Sequence, residues 1–135
     1  MLSRADLFNE YQAAIVSACD PLAPEGSSWC DPALCAAMRN QECVVLTAWN
    51  PGFARLSSAL NTERNDLMLA KLQDCGLEIW PAENASPDGH FREPGFLVWS
   101  MPMDSALRLA AEFSQFAIFA YARDGERRVV ACAPD

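Results

Sequence analysis

The chain has 135 residues, of which 51% are hydrophobic and 21% charged, and it carries a formal net charge of −8. A length of this order suits one domain with a sizeable buried core, and the composition excludes a disordered tail or a fibrous repeat. The acidic balance repels phosphates, so no nucleic acid is expected as a partner, and no apolar run approaches the roughly twenty residues that cross a bilayer, so no membrane span is expected either.

The opening "MLSRADLFNEYQ" carries Arg4, Asp6 and Glu10 where a secretory signal needs an unbroken apolar stretch. A cytoplasmic protein is expected on that ground. Tyr11 to Ala18 reads either as the end of a helix begun at Asp6 or as a strand. A segment rich in Pro, Gly and Ser follows and makes residues 19–32 a loop within a single domain spanning 1–135. Asp31 and Pro32 then have the form of an N-cap and a first-turn proline, opening a short helix through Met38.

A strand is predicted from Cys43 to Trp49, ended by Asn50, Pro51 and Gly52. Ser57 is the expected N-cap of a helix running to about Cys75, with Gly76 as its stop. A strand from Leu77 to Trp80 comes next, then a loop over "ENASPDGHFREPG", residues 83–95, then a strand from Phe96 to Met101. Asp104 is expected to cap a helix through about Ser114, whose apolar stripe is Ala106, Leu109, Ala110 and Phe113. Residues 116–121 and 127–132 complete the pattern as two strands joined by the turn at Asp124, Gly125 and Glu126. From residue 43 the order is strand, helix, strand, strand, helix, strand. The expected class is therefore α+β, a ferredoxin-like βαββαβ core with an N-terminal extension; the alternative is a mixed α/β sheet with helices on one or both faces.

Six cysteines invite a metal or disulfide reading. Paired C-x-x-C knuckles are missing, so a metal site is not expected, although Cys19, Cys30, Cys35 and Cys43 together would offer four ligands. The plainer expectation is that Cys43, Cys75 and Cys132 sit in or beside the core as small hydrophobes.

The helix after Ser57 holds the most informative pattern. At about 100° per residue, Ser57, Asn61, Asn65, Met68 and Leu72 share one face, with Arg64 at its edge. Met68 and Leu72 belong to a core, so the two amides continue a buried line. Buried amides need partners, since each unsatisfied group costs about 1–3 kcal/mol. Either they bond backbone groups freed at the Asn50–Pro51 break, or they face a cleft and meet a ligand. The helix start must lie near Trp49, whose ring either packs or stacks on a planar ligand.

"TAWNP" at 47–51, "LSSALNTERN" at 56–65, "GHFREPGFLV" at 89–98 and "FSQFAI" at 113–118 are similar to the bacterial family of domains of unknown function 3293. The likeness runs from about Tyr11 to Tyr121. Carried over position by position, it points to Thr47, Asn50, Ser57, Asn61, Asn65, Glu93 and Gln115. Phe91 stands where the family tends to have Trp, and Gly95 where it tends to have Ser, so a serine nucleophile at that position is excluded. The resemblance implies no particular activity.

No phosphate-binding glycine loop and no dinucleotide fingerprint occurs, and no cofactor is expected. His90 is the single histidine, in a turn, and makes neither a metal set nor an evident base. Glu93 is the acid–base candidate, flanked by Phe91, Pro94 and Phe96; its plainer reading is an ion pair with Arg92 or Arg64. Two functions are compatible with these residues. One is a domain with an amide-rich cleft for a small polar ligand or peptide, lined by Thr47, Trp49, Asn50, Ser57, Asn61, Arg64, Asn65, Glu93 and Gln115. The other is an acidic interaction or regulatory module that engages a partner protein without catalysis.

Overall fold

The computed structural model describes residues 3–23, 29–51 and 54–132. Ser3 opens α1 (Arg4–Ala13) with a reciprocal cap: its hydroxyl accepts from Asp6 N, and the Asp6 carboxylate accepts from Ser3 N. Tyr11 to Ala18 is then both of the things its sequence allowed, the end of α1 and the strand β1 (Ile15–Ala18). Residues 24–28 of the expected loop, and Gly52 of the break after Asn50, lie outside the described residues. Asp31 caps α2 (Pro32–Arg39) as its sequence predicts, with Pro32 in the first turn.

The strand β2 (Cys43–Leu46) is shorter than expected, because from Thr47 onward the chain turns toward the helix α3 (Ser58–Asp74). Ser57 caps α3 by accepting from Leu60 N, and Gly76 ends it at a φ of 73°, in the left-handed region that favours glycine. The largest correction follows. In place of a short strand and a long loop there is a hairpin, β3 (Ile79–Ala85) with β4 (Arg92–Trp99). Pro81 and Pro94 both lie in these strands. The Pro81 carbonyl accepts from Cys19 N just past the end of β1, and the Pro94 carbonyl accepts from the Thr47 hydroxyl just past the end of β2. In an antiparallel strand a residue's N–H and C=O point to the same side, so each proline lacks its N–H where the neighbouring ladder has already stopped.

The helix α4 (Met103–Glu112) begins two residues earlier than Asp104 would set: Pro102 occupies the N-cap without a side-chain bond, and Asp104 lies in the first turn. β5 (Ala117–Tyr121) and β6 (Arg127–Ala131) close the chain. All six strands form one sheet in the order β1-β3-β4-β2-β5-β6. Every pairing is antiparallel, so the alternative of a mixed sheet is not what forms.

Both faces of the sheet are covered. Val45, Trp80, Leu97, Trp99, Phe119 and Tyr121 pack with Ala36 of α2 and with Phe8 and Tyr11 of α1. On the opposite face Val44, Leu46, Val98, Ile118 and Ala120 pack with Met68 and Leu72 of α3 and with Ala106, Leu109 and Ala110 of α4. The central strands β2 and β5 are therefore buried on both sides, which is why "CVVL" and "AIFAY" are continuous apolar runs without alternation. Arg39 ties the end of α2 to β3 through two bonds to the Glu78 carboxylate at 2.7 and 3.1 Å, with its guanidinium 4.0 Å over the Trp99 ring. Among the described residues no helix is long and apolar enough to cross a membrane.

Candidate functional site

Beyond Leu46 the backbone leaves the sheet, and its freed polar groups are met one by one by side chains of α3. Asn65 Oδ1 accepts from Ala48 N at 2.9 Å, while Asn65 Nδ2 donates to the Pro94 carbonyl at 2.9 Å. The Thr47 hydroxyl donates to the same carbonyl at 2.6 Å and accepts from Trp49 N at 3.0 Å. Asn61 Oδ1 accepts from Asn50 N at 2.8 Å, and Asn61 Nδ2 donates to Asn50 Oδ1 at 2.8 Å and to the Leu56 carbonyl at 3.2 Å. Arg64 Nε donates to the Ala48 carbonyl at 2.8 Å, and its Nη2 donates to the Phe113 carbonyl. Buried helix positions thus carry amides because they bind main chain that has no ladder partner. The buried residues of α3 are Asn61, Asn65, Met68 and Leu72, the face that its periodicity picks out.

Asn50 joins this cluster to the other face of the sheet. It holds a φ of 49°, a left-handed conformation that Asn tolerates better than most residues. Its Oδ1 accepts from Leu56 N at 3.0 Å as well as from Asn61, and its Nδ2 donates to Glu93 Oε2 at 3.2 Å. Glu93 lies opposite Asn84 across the β3–β4 hairpin. Alternation along β4 puts it on the same face as Leu97 and Trp99, under α1. It is half-buried, and burial raises its carboxyl above the ordinary 4.5, against the pull of the Asn50 amide, the Arg55 charge and the Asn84 amide. Neither ion pair expected for Glu93 forms: Arg92 bonds Glu83 at 2.6 Å, and Arg64 is held by carbonyls. Burial also lifts the nearby Tyr11 phenol above the usual tyrosine range, with the charge of Glu93 adding to the shift.

Glu93 borders a cavity of about 640 Å³ between α1, the β3–β4 turn and the stretch at Ala54 and Arg55. Tyr11, Asn50, Asn84, Glu93 and Gln115 line it, with Arg55 and Phe91 also on its wall. Arg55 sits 4.1 Å over the Phe91 ring. Gln115 is 8% exposed, and its Nε2 donates to the Trp49 carbonyl at 3.2 Å, which fixes the corner from a third side.

Of the residues singled out in the sequence, Asn50, Glu93 and Gln115 border the cavity. Thr47, Asn61, Arg64 and Asn65 stand behind it and bind the backbone of the corner, Ser57 is an exposed helix cap, and Trp49 is half-buried with its main chain held by Thr47 and Gln115. The sequence does not single out Tyr11, Asn84 or Arg55, and Phe91 enters it only as a neighbour of Glu93 and a departure from the family pattern. Tyr11 stands on a helix whose polar and apolar residues show no clear stripe, and Asn84 fell inside an expected loop, so neither left a periodic signal. His90 is exposed, its backbone N donating to Asp88 Oδ1 at 2.9 Å. Cys75 is exposed, against expectation, because it lies at the C-cap of α3, whereas Cys43 is buried and Cys132 partly so. Among the described residues no group of three or more His, Cys, Asp or Glu side chains could hold a metal ion.

No curated protein and no solved structure matches the chain. The family described as "Protein of unknown function (DUF3293)" matches residues 46–118, more than half of the chain. That span begins on the last residue of β2 and ends inside β5. It holds the Thr47–Asn50 corner, α3, the hairpin that carries Glu93, and Gln115, so the chain belongs to the DUF3293 family of proteins of unknown function.

Proposed function

We propose that the cavity beside Glu93 binds a small polar ligand or a peptide, with Glu93 as its anchor. What supports this most is one carboxyl with no salt bridge among the described residues, raised by burial and bordering open space, with Tyr11, Asn84, Asn50 and Gln115 around it. A fold gains no stability from burying such a group without an ion pair, and carboxyls of this kind concentrate at functional sites. A ligand group that donates hydrogen bonds or carries positive charge would relieve the burial. If the bound molecule reacts, Glu93 is the group we place as its acid or base. Thr47, Trp49, Ser57, Asn61, Arg64 and Asn65 would then act as positioning residues, holding the corner from which Asn50 reaches the carboxylate.

A thermal-shift screen with amines, amino acids, short peptides and sugars tests the reading. A ligand at one hundred times its Kd stabilises the native state by about 2.7 kcal/mol. The expected outcome is a rise in Tm that disappears in Glu93→Gln while that variant melts no lower than the parent. A rise that survives both Glu93→Gln and Gln115→Ala, or no rise with any of these classes, would overturn it.

The second reading, an acidic module that engages a partner protein, is favoured by the formal charge of −8. It predicts capture of a basic partner that weakens as salt is raised, with no dependence on Glu93. The same proposal takes residues 1–135 as one domain in the cytoplasm and residues 43–121 as a ferredoxin-like βαββαβ unit. The stretch β3-β4-β2-β5 of the sheet order, with α3 and α4 on one face, supports that topology.

A further inference from the structure

Cys30 and Cys35 are set side by side by two separate pieces of local structure. Cys30 forms an antiparallel bridge to Ala18, with Cys30 N donating to the Ala18 carbonyl and Ala18 N to the Cys30 carbonyl, each at 2.9 Å. One residue later Asp31 accepts from Ala33 N at 2.9 Å and starts α2, which carries Cys35 in its first turns. The bridge fixes one sulfur and the helix fixes the other, leaving the two Sγ atoms 3.0 Å apart. Cys30 Sγ donates to the Ala18 carbonyl at 3.3 Å, so the hydrogen between the sulfurs comes from Cys35. Both side chains are half-buried rather than sealed, unlike Cys43.

We infer that Cys30 and Cys35 are a site of reversible oxidation, closing to a disulfide in exchange with a low-molecular-weight disulfide. One thiol gives its proton to solvent and attacks a sulfur of the small disulfide, releasing one small thiolate. The second thiol, after losing its own proton, attacks the mixed disulfide and releases the other. Two protein thiols become one S–S bond, and the oxidant is reduced to two thiols. Burial, together with the contact to Cys30, pushes the Cys35 thiol up to about 12. Cys35 therefore holds its proton while Cys30 is a free thiol, and it acts as the second, resolving thiol. The bridge and the cap already hold the two sulfurs 3.0 Å apart, so closing the bond asks them to approach by about 1 Å.

The test incubates the full chain, and a Cys75→Ser version that removes the exposed thiol, with an excess of oxidised over reduced glutathione. The expected product is lighter by two hydrogens, maps to a Cys30–Cys35 link, reverts with dithiothreitol, and melts roughly 5 °C higher. Cys30→Ser and Cys35→Ser should each show neither the mass loss nor the rise in Tm. Glutathione that stays attached to Cys30 or Cys35, a link that maps elsewhere, or two thiols that remain open to alkylation would each overturn the inference.

Discussion

Asn50 is the residue on which the candidate site hinges. It binds α3 through its backbone N and its Oδ1, and the Glu93 carboxylate through its Nδ2, so one side chain couples the two faces of the sheet at its open end. The residues behind it are structural in a measurable sense. Asn65→Ala strips Ala48 N of its acceptor at a fully buried position and should destabilise the protein by about 2–3 kcal/mol, read as a lower denaturant midpoint at unchanged m. Asn50→Ala and Asn61→Ala both remove the bond from Asn61 Nδ2 to Asn50 Oδ1, so their double variant should fall short of the sum of the singles. Glu93 should behave oppositely. Its folded pKa lies above the ordinary 4.5, so its contribution is full below about pH 4.5 and is lost as pH rises through the folded value. Glu93→Gln should therefore melt higher than the parent at neutral pH, with the two curves converging below about pH 4.5. A variant that is less stable at neutral pH would show that the ionised carboxylate braces the fold.

At the scale of elements, the cleft wall α1 is held by a residue from the far end of the chain. Arg127 of β6 donates to the carbonyls of Gln12 at 2.6 Å, Ala14 at 2.9 Å and Tyr11 at 3.4 Å, at the C-terminal end of α1, where carbonyls lack the next turn's donors. Its guanidinium also stacks 5.1 Å over Phe119. Arg127→Ala should loosen α1, lower stability by about 1–3 kcal/mol and weaken any ligand held against Tyr11, which a paired melting and titration experiment would read. Gly95 is required by a different contact. A Cβ there would lie 2.6 Å from the Leu46 carbonyl oxygen and 3.0 Å from Thr47 Cβ, so the end of β2 would have to move. Gly95→Ala should destabilise by about 1–3 kcal/mol, and the clash is with backbone, which no rotamer change relieves.

For the molecule as a whole, the sheet is thickest in the middle and open at its margins. β2 and β5 are buried throughout, whereas β1 and β6 form the edges. Amide hydrogen exchange should be slowest in β2 and β5 and faster in β1 and β6, and equal protection of β1 and β2 would contradict this layering.

The sequence by itself determined those features whose causes are local. Ser57, Asp31 and Gly76 mark helix ends through bonds or backbone angles that involve their own neighbours, and the amide stripe of α3 is a matter of 3.6-residue spacing. Unbroken apolar runs at β2 and β5 likewise announce burial on two sides. Only the tertiary structure decided the hairpin, because the strand character of residues 79–85 and 92–95 depends on neighbours that stop short of Pro81 and Pro94. It also decided which residues border the cavity. Tyr11, Asn84 and Glu93 are far apart in the chain and meet only when α1 is laid over the β3–β4 pair, and the raised carboxyl comes from that covering rather than from any residue beside it in sequence.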